Sequence, residues 1–271
     1  MLRDITLGQY YQTDSILHRL DPRVKLIGTI AYIIGLFISG SIWAYLVATI
    51  FLVAVIAISK VPVKFMLRGM KSIAFLIAIT VLFNLFMTPG ETVVSFGIIK
   101  ITREGIIMAT KMAVRLSYLI IGSSIMTLTT TPNQLTDGLE KVLSPLKKIR
   151  VPVHEVAMMM SIALRFIPIL MEETDKIMKA QMARGADFDT GNIIEKAKGL
   201  VPLLVPLFIS AFRRANDLAM AMEARCYKGG DSRTKMKPLK YHGRDALAYL
   251  VLVLFIGAVV ATKWLPAISI L

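Results

Sequence analysis

Residues Leu26–Ile58 read LIGTIAYIIGLFISGSIWAYLVATIFLVAVIAI, without a single charged side chain. One span needs about 20 mostly apolar residues, so this stretch holds two, divided at Ser39-Gly40-Ser41, where small polar residues favour a tight turn. A backbone surrounded by lipid must satisfy its own hydrogen bonds, which makes both segments helices rather than open strands. Working outward, Ser72–Thr88 predicts a third span and Gly105–Leu128 a fourth, with Lys111 and Arg115 in its first half. Ala246–Thr262 predicts a fifth. The composition agrees. The chain has 271 residues, of which 55% are hydrophobic, and a mean hydropathy of +0.65, above the ordinary soluble range. The expected fold class is an all-α membrane protein with about five transmembrane helices. The N-terminal MLRDITLGQYYQTDSILHRLDPR is polar and lacks the apolar core of a signal peptide.

Lys and Arg in short loops set the orientation. Arg3, Arg19, Arg23 and Lys25 precede the first span, the 39–41 turn has no basic residue, and Lys60, Lys64, Arg68 and Lys71 follow the second span. Only Lys100 and Arg103 follow the third. The N-terminus and the 59–71 loop are therefore expected in the cytoplasm, and the C-terminus outside. The chain divides into 1–128, an N-terminal arm with four spans; 129–244, a cytoplasmic region; and 245–271, the last span.

The central region carries 19 of the 32 Lys and Arg residues. Its apolar runs, Val156–Met171 and Leu200–Phe212, are short for spans, Arg165 interrupts the first, and five basic residues lie between them. Placing that connection outside would oppose the positive-inside bias. Long amphipathic helices lying against the membrane or another protein fit better. Thr131-Pro132 predicts a helix start. A long helix is expected over about Pro152–Ala183, ended by Gly185, and another over about Ile193–Ala224, kinked near Pro202 and Pro206 and ended by Gly229-Gly230. Both end alike, as Ala183-Arg184-Gly185 and Ala224-Arg225-Cys226. Arginine suits a helix C-terminus because the dipole is negative there. Two such ends with small neighbours also suit a second role, since a projecting guanidinium can enter a groove and pair with a carboxylate.

The ordered set DSILHRLDPRVKL, TTPNQLTDGLEKVLSPLKKI, ALRFIPILMEE and the two Arg motifs resembles the T component of energy-coupling-factor transporters, a branch of the ABC importers; the resemblance covers nearly the whole chain. It implies a bacterial cell-membrane protein whose central helices are coupling helices. It further implies two ABC-type ATPase partners, docked through Ala183, Arg184 and Gly185 and through Ala224, Arg225 and Cys226. The second motif has cysteine where glycine is also usual in the family. A vitamin-binding S component in the membrane is the third implied partner, and the chain type is one shared among several S components.

The residue chemistry is compatible. No Gly-Lys pair occurs, so the phosphate-cradling G-x-x-x-x-G-K-[ST] loop is absent and ATP and Mg would be held by partner chains, with no cofactor on this one. Cys226 is the sole cysteine, which excludes an internal disulfide and a cysteine metal cluster. His154-Glu155 is not part of H-E-x-x-H, and His18, His154 and His242 are scattered near helix boundaries, so no metal site is expected. The net charge of +14 is explained by topology rather than nucleic acid. The alternative is a stand-alone secondary transporter; such carriers keep ionisable residues along a pathway inside the spans, and the first three spans contain no charge, Asn84 being their most polar residue. Lys111 and Arg115 share a face of the fourth span, either turned inward within a complex or placed at lipid headgroups. Met158, Met159, Met160, Met171, Met178 and Met182 crowd the first long helix. Methionine adapts to several partners, which suits a surface for S components as well as ordinary helix packing. Arg165 has Glu172, Asp217 and Glu223 as candidate partners.

Overall fold

The computed structural model describes residues 9–38, 40–96, 99–186, 193–229, 236, 238–262 and 264. It contains α1 (Pro22–Ile38), α2 (Ile42–Ser59), α3 (Val63–Met87), β1 (Thr92–Phe96), β2 (Ile99–Thr102), α4 (Arg103–Thr129), α5 (Pro132–Val142), a short 3-10 helix (Ser144–Ile149), α6 (Val153–Ala183), α7 (Ile193–Ala224) and α8 (Gly243–Ala261). The fold is that of an all-α membrane protein, with one small hairpin where the sequence suggested only a loop. β1 and β2 pair antiparallel, with an irregularity between Thr92 and Val94. Thr102 ties the hairpin to α4. Its hydroxyl donates to Thr88 O at 2.8 Å and accepts from Gly105 N at 3.1 Å, an N-cap.

Two compact units form, one from 9–138 and 239–264, the other from 139–238. In the first, α1, α2, α4 and α8 pack around a core that includes Tyr32, Leu36, Ala48, Leu52, Ile125, Phe255 and Val259. Phe51 and Phe255 stack at 4.3 Å. Helices in lipid associate through close packing of small residues rather than through exclusion of water. Gly122 lets α4 approach Tyr32, whose ring would collide with a Cβ at that position, and Gly35 lets α1 approach Phe255, 3.0 Å from where its Cβ would stand. The outer surface is apolar: Ile50, Phe75, Met87 and Val253 are 62%, 77%, 72% and 65% exposed. Such a surface suits lipid and not water.

By length and composition, α2, α4, α6 and α8 can cross a membrane, and α3 is a fifth candidate, bent by 61° between Val63–Lys71 and Ile73–Met87. Helix α1 has 17 residues, near the lower limit. Helix α6 meets the same standard as the spans because it runs unbroken for 31 residues, well past the apolar stretch that alone looked too short.

In the second unit, α6 and α7 are about 46 and 48 Å long and cross each other. Ala211, Ala215 and Ala219 give α7 a small-residue ridge facing Ile162, Phe166 and Leu170 of α6 around a cavity of about 280 Å³. Glu173 fastens the crossing, accepting from Ser210 Oγ at 2.7 Å and from Arg214 Nη2 at 2.5 Å. Few of the described side chains here are buried, among them Val153, Ala157 and Leu203.

Candidate functional site

The two helix ends singled out by sequence share one backbone geometry. At the end of α6, Gly185 N–H donates to Met182 O and Ala186 N–H to Gln181 O, both at 3.0 Å. At the end of α7, Cys226 N–H donates to Glu223 O at 2.8 Å and Tyr227 N–H to Met222 O at 3.0 Å. Each pair of bonds is a Schellman closure, in which two otherwise orphaned carbonyls are satisfied by a chain that turns left-handed after the cap. Gly185 has φ +87° and Cys226 φ +56°. Arg184 and Arg225 are thus the cap residues, each followed by a residue in the left-handed region. The glycine of the first motif thus suits the helix ending itself. Glycine adopts this conformation freely, whereas cysteine does so with strain.

Ala183, Arg184, Gly185, Ala224, Arg225 and Cys226 are all exposed. Among the described residues neither Arg184 nor Arg225 makes an ion pair. A guanidinium at a helix C-terminus, with flat alanine and backbone on either side, can enter a groove and form paired bonds to a carboxylate.

Arg165 sits on the exposed side of α6, and among the described residues it has none of the ion pairs expected from Glu172, Asp217 or Glu223. The crossing instead uses Glu173 and Arg214, because the rotation of α7 presents Arg214 and Ser210 to α6. Of the α6 methionines, Met159, Met160 and Met182 are exposed, and Met158, Met171 and Met178 half-buried. A larger apolar surface lies on α7, where Leu204, Val205, Phe208, Ile209 and Phe212 line an open groove of about 570 Å³. Phe208 and Phe212 are each 63% exposed. The three- and four-residue spacing of these positions marks one helical face and is a signal carried by the sequence itself.

The N-terminal arm is more than a topological signal. Lys25 is buried and donates to Thr129 O at 2.8 Å and His18 O at 3.2 Å. His18 Nε2–H donates to Tyr11 O at 3.0 Å, which leaves Nδ1 to accept from Ser15 Oγ at 2.7 Å. This neutral tautomer accords with a His18 pKa lowered by burial. Asp21, the residue just before α1, accepts from Arg23 N at 2.9 Å and from the Arg23 guanidinium at 2.8 Å. Its own N–H donates to buried Asp245 of α8 at 2.9 Å. Burial pushes the Asp21 carboxyl up, but the bonds and charge of Arg23 outweigh this and hold its pKa below the usual value. Arg23 also lies 3.9 Å over the Tyr241 ring. The arm thereby ties the ends of α1, α4 and α8 together. Thr131 and Gln134 exchange the reciprocal bonds of a capping box at the start of α5, as the Thr131-Pro132 pair predicts. His154 bonds Glu140 at 2.9 Å, and His242 caps α8 with Asp245. In α4, Arg115 turns inward, its Nε donating to Tyr45 Oη at 3.1 Å.

The chain is similar to known membrane proteins along most of its length. A family model described as CbiQ, cobalt transport protein, matches residues 13–236. The energy-coupling factor transporter transmembrane protein EcfT of Clostridium kluyveri is 55% identical over 267 residues, covering 97% of this chain and 99% of that one. The proteins of the same name from Bacillus subtilis and Lactococcus lactis are 45% and 46% identical, covering 93% and 97% of this chain and 96% and 98% of their own. With identity and coverage of this extent, the chain belongs to the family of energy-coupling factor transporter transmembrane proteins, the T components of that transporter class.

Proposed function

We propose that this chain couples ATP hydrolysis on two partner ATPases to movement of a vitamin-binding S component in the membrane. The observation that carries this reading is the pair of matching helix ends, each presenting an exposed cap arginine on a Schellman turn. Arg184 docks in a groove of one ATPase and Arg225 in a groove of the other. Burying an arginine costs heavily unless it is paired, so each groove offers a carboxylate. ATP and Mg are bound by the ATPases, and no covalent chemistry takes place on this chain. The central helices face the cytoplasm, as the basic loops direct. When the ATPases close, the two arginines carry the movement into α6 and α7, whose crossing through Glu173 and Arg214 changes.

The apolar groove of α7, together with the exposed methionines of α6, holds the S component. A flexible methionine surface beside an open groove suits several S components in turn. In vesicles containing the ATPases and an S component, Arg184→Ala/Arg225→Ala is expected to abolish ATP-driven vitamin uptake. Normal uptake by that variant would remove the arginines from the mechanism, and uptake by this chain alone would point to a secondary transporter.

A further inference from the structure

The first part of α3 bears a feature that coupling does not use. The helix bends by 61° between Val63–Lys71 and Ile73–Met87. Ile73–Met87 has no charge, while Val63–Lys71 holds Lys64, Arg68 and Lys71. Spacings of four and three put these cations on one stripe, and all three are exposed. The opposite side is fixed to the bundle: Met66 is 1% exposed, and the position a Cβ would take on Gly69 lies 3.3 Å from Ser124 Oγ of α4. Next to the stripe, Val63 and Leu67 are 51% and 50% exposed. The sequence has no Asp or Glu between Asp21 and Glu91, and among the described residues the stripe makes no ion pair. Lys60, just before the helix, is near Asp14, which is paired with Arg19.

We propose that Val63–Lys71 is an interfacial anchor that binds anionic phospholipid headgroups. The segment runs straight into a helix that is apolar enough to span the bilayer, so its cations are held within a turn or two of the membrane edge. A partly buried helix turned away from the span direction, with cations on one strip and apolar side chains beside them, has the form of a surface-lying helix. Val63 and Leu67 enter the boundary between headgroups and acyl chains, and Lys64, Arg68 and Lys71 meet the phosphates. The charge complementarity is with lipid, since among the described residues no acid pairs with these three cations and an anionic bilayer surface attracts each of them.

The test is titration of the full-length chain, purified in a nonionic detergent, with phosphatidylglycerol and separately with phosphatidylcholine, bound lipid being counted by native mass spectrometry. Lys64→Gln/Arg68→Gln/Lys71→Gln is expected to weaken phosphatidylglycerol binding at least about fivefold, the effect of losing even one such cation at an anionic surface, and to leave phosphatidylcholine binding unchanged. Lys64→Arg/Lys71→Arg, which keeps the charge, is expected to bind as the wild type does. Unchanged phosphatidylglycerol binding by the glutamine variant would overturn the proposal, as would an equal loss in the charge-conserving variant. Unchanged lipid binding accompanied by loss of a co-purifying protein subunit would make the stripe a protein dock and also overturn it. The readout involves neither an ATPase nor transport, so its failure leaves the coupling role untouched.

Discussion

Arg184 and Arg225 occupy the same cap position, but the residue after each differs. Gly185 takes its left-handed conformation without cost, whereas Cys226, at φ +56°, carries a strain of about 1–2 kcal/mol. Part of that returns through the freer unfolded chain of a glycine. Cys226→Gly is therefore expected to stabilise the end of α7 by about 0.5–1 kcal/mol, and Gly185→Val to loosen the end of α6. Amide exchange checks both, since the Tyr227 and Ala186 amides close the two turns. Slower exchange at Tyr227 in the first variant and faster exchange at Ala186 in the second are expected. Faster exchange at Tyr227 on introducing glycine would mean that the α7 turn does not hold this form. Each arginine motif thus sets an exposed guanidinium beside one residue of left-handed backbone.

Among the elements, α6 and α7 are long and bury little; an alanine ridge, the Glu173 cluster and a long bond from Gln181 Nε2 to Pro202 O join them. Such helices depend on something outside the chain to cover their apolar faces. Phe208→Ser/Phe212→Ser removes the largest exposed groups of α7 without touching the helix ends. S-component retention is expected to fall at least about tenfold, equivalent to ~1.4 kcal/mol, while both ATPases stay bound. Retention of the S component at the wild-type level would place its dock elsewhere. The limits of α6 were legible in the sequence because Pro152 and Gly185 act locally on the backbone, whereas α7 ends at Ala224 and turns at Cys226, ahead of the expected stop at Gly229-Gly230, of which Gly230 lies outside the described residues. The partners across the crossing were not legible. Which side chain meets Glu173 depends on how α7 is rotated 37 to 41 residues later, and Arg165, though nearer in sequence, is turned away. The β1–β2 hairpin escaped notice for a related reason, since pairing of two short strands is settled by the turn and by Thr102 capping α4 rather than by an apolar period.

Across the whole molecule, the charge-free stretch at 26–58 decides the membrane class, and the bundle of α1, α2, α4 and α8 grows from it with small residues at its closest contacts. Lys25 shows what periodicity could not reach. It reads as a topological cation, yet it is buried against the Thr129 carbonyl, 104 positions away in sequence. The matching helix ends, by contrast, were visible as two strings of letters, and the structure adds the left-handed turn that follows each arginine. The coupling role stands or falls on those ends. The measurement that tests it most directly is co-purification of the tagged chain with its two ATPases, as wild type and as Arg184→Glu/Arg225→Glu. Docking through the two arginines predicts that the wild type retains both ATPases and the variant loses them. Equal retention of both ATPases by the variant would contradict it.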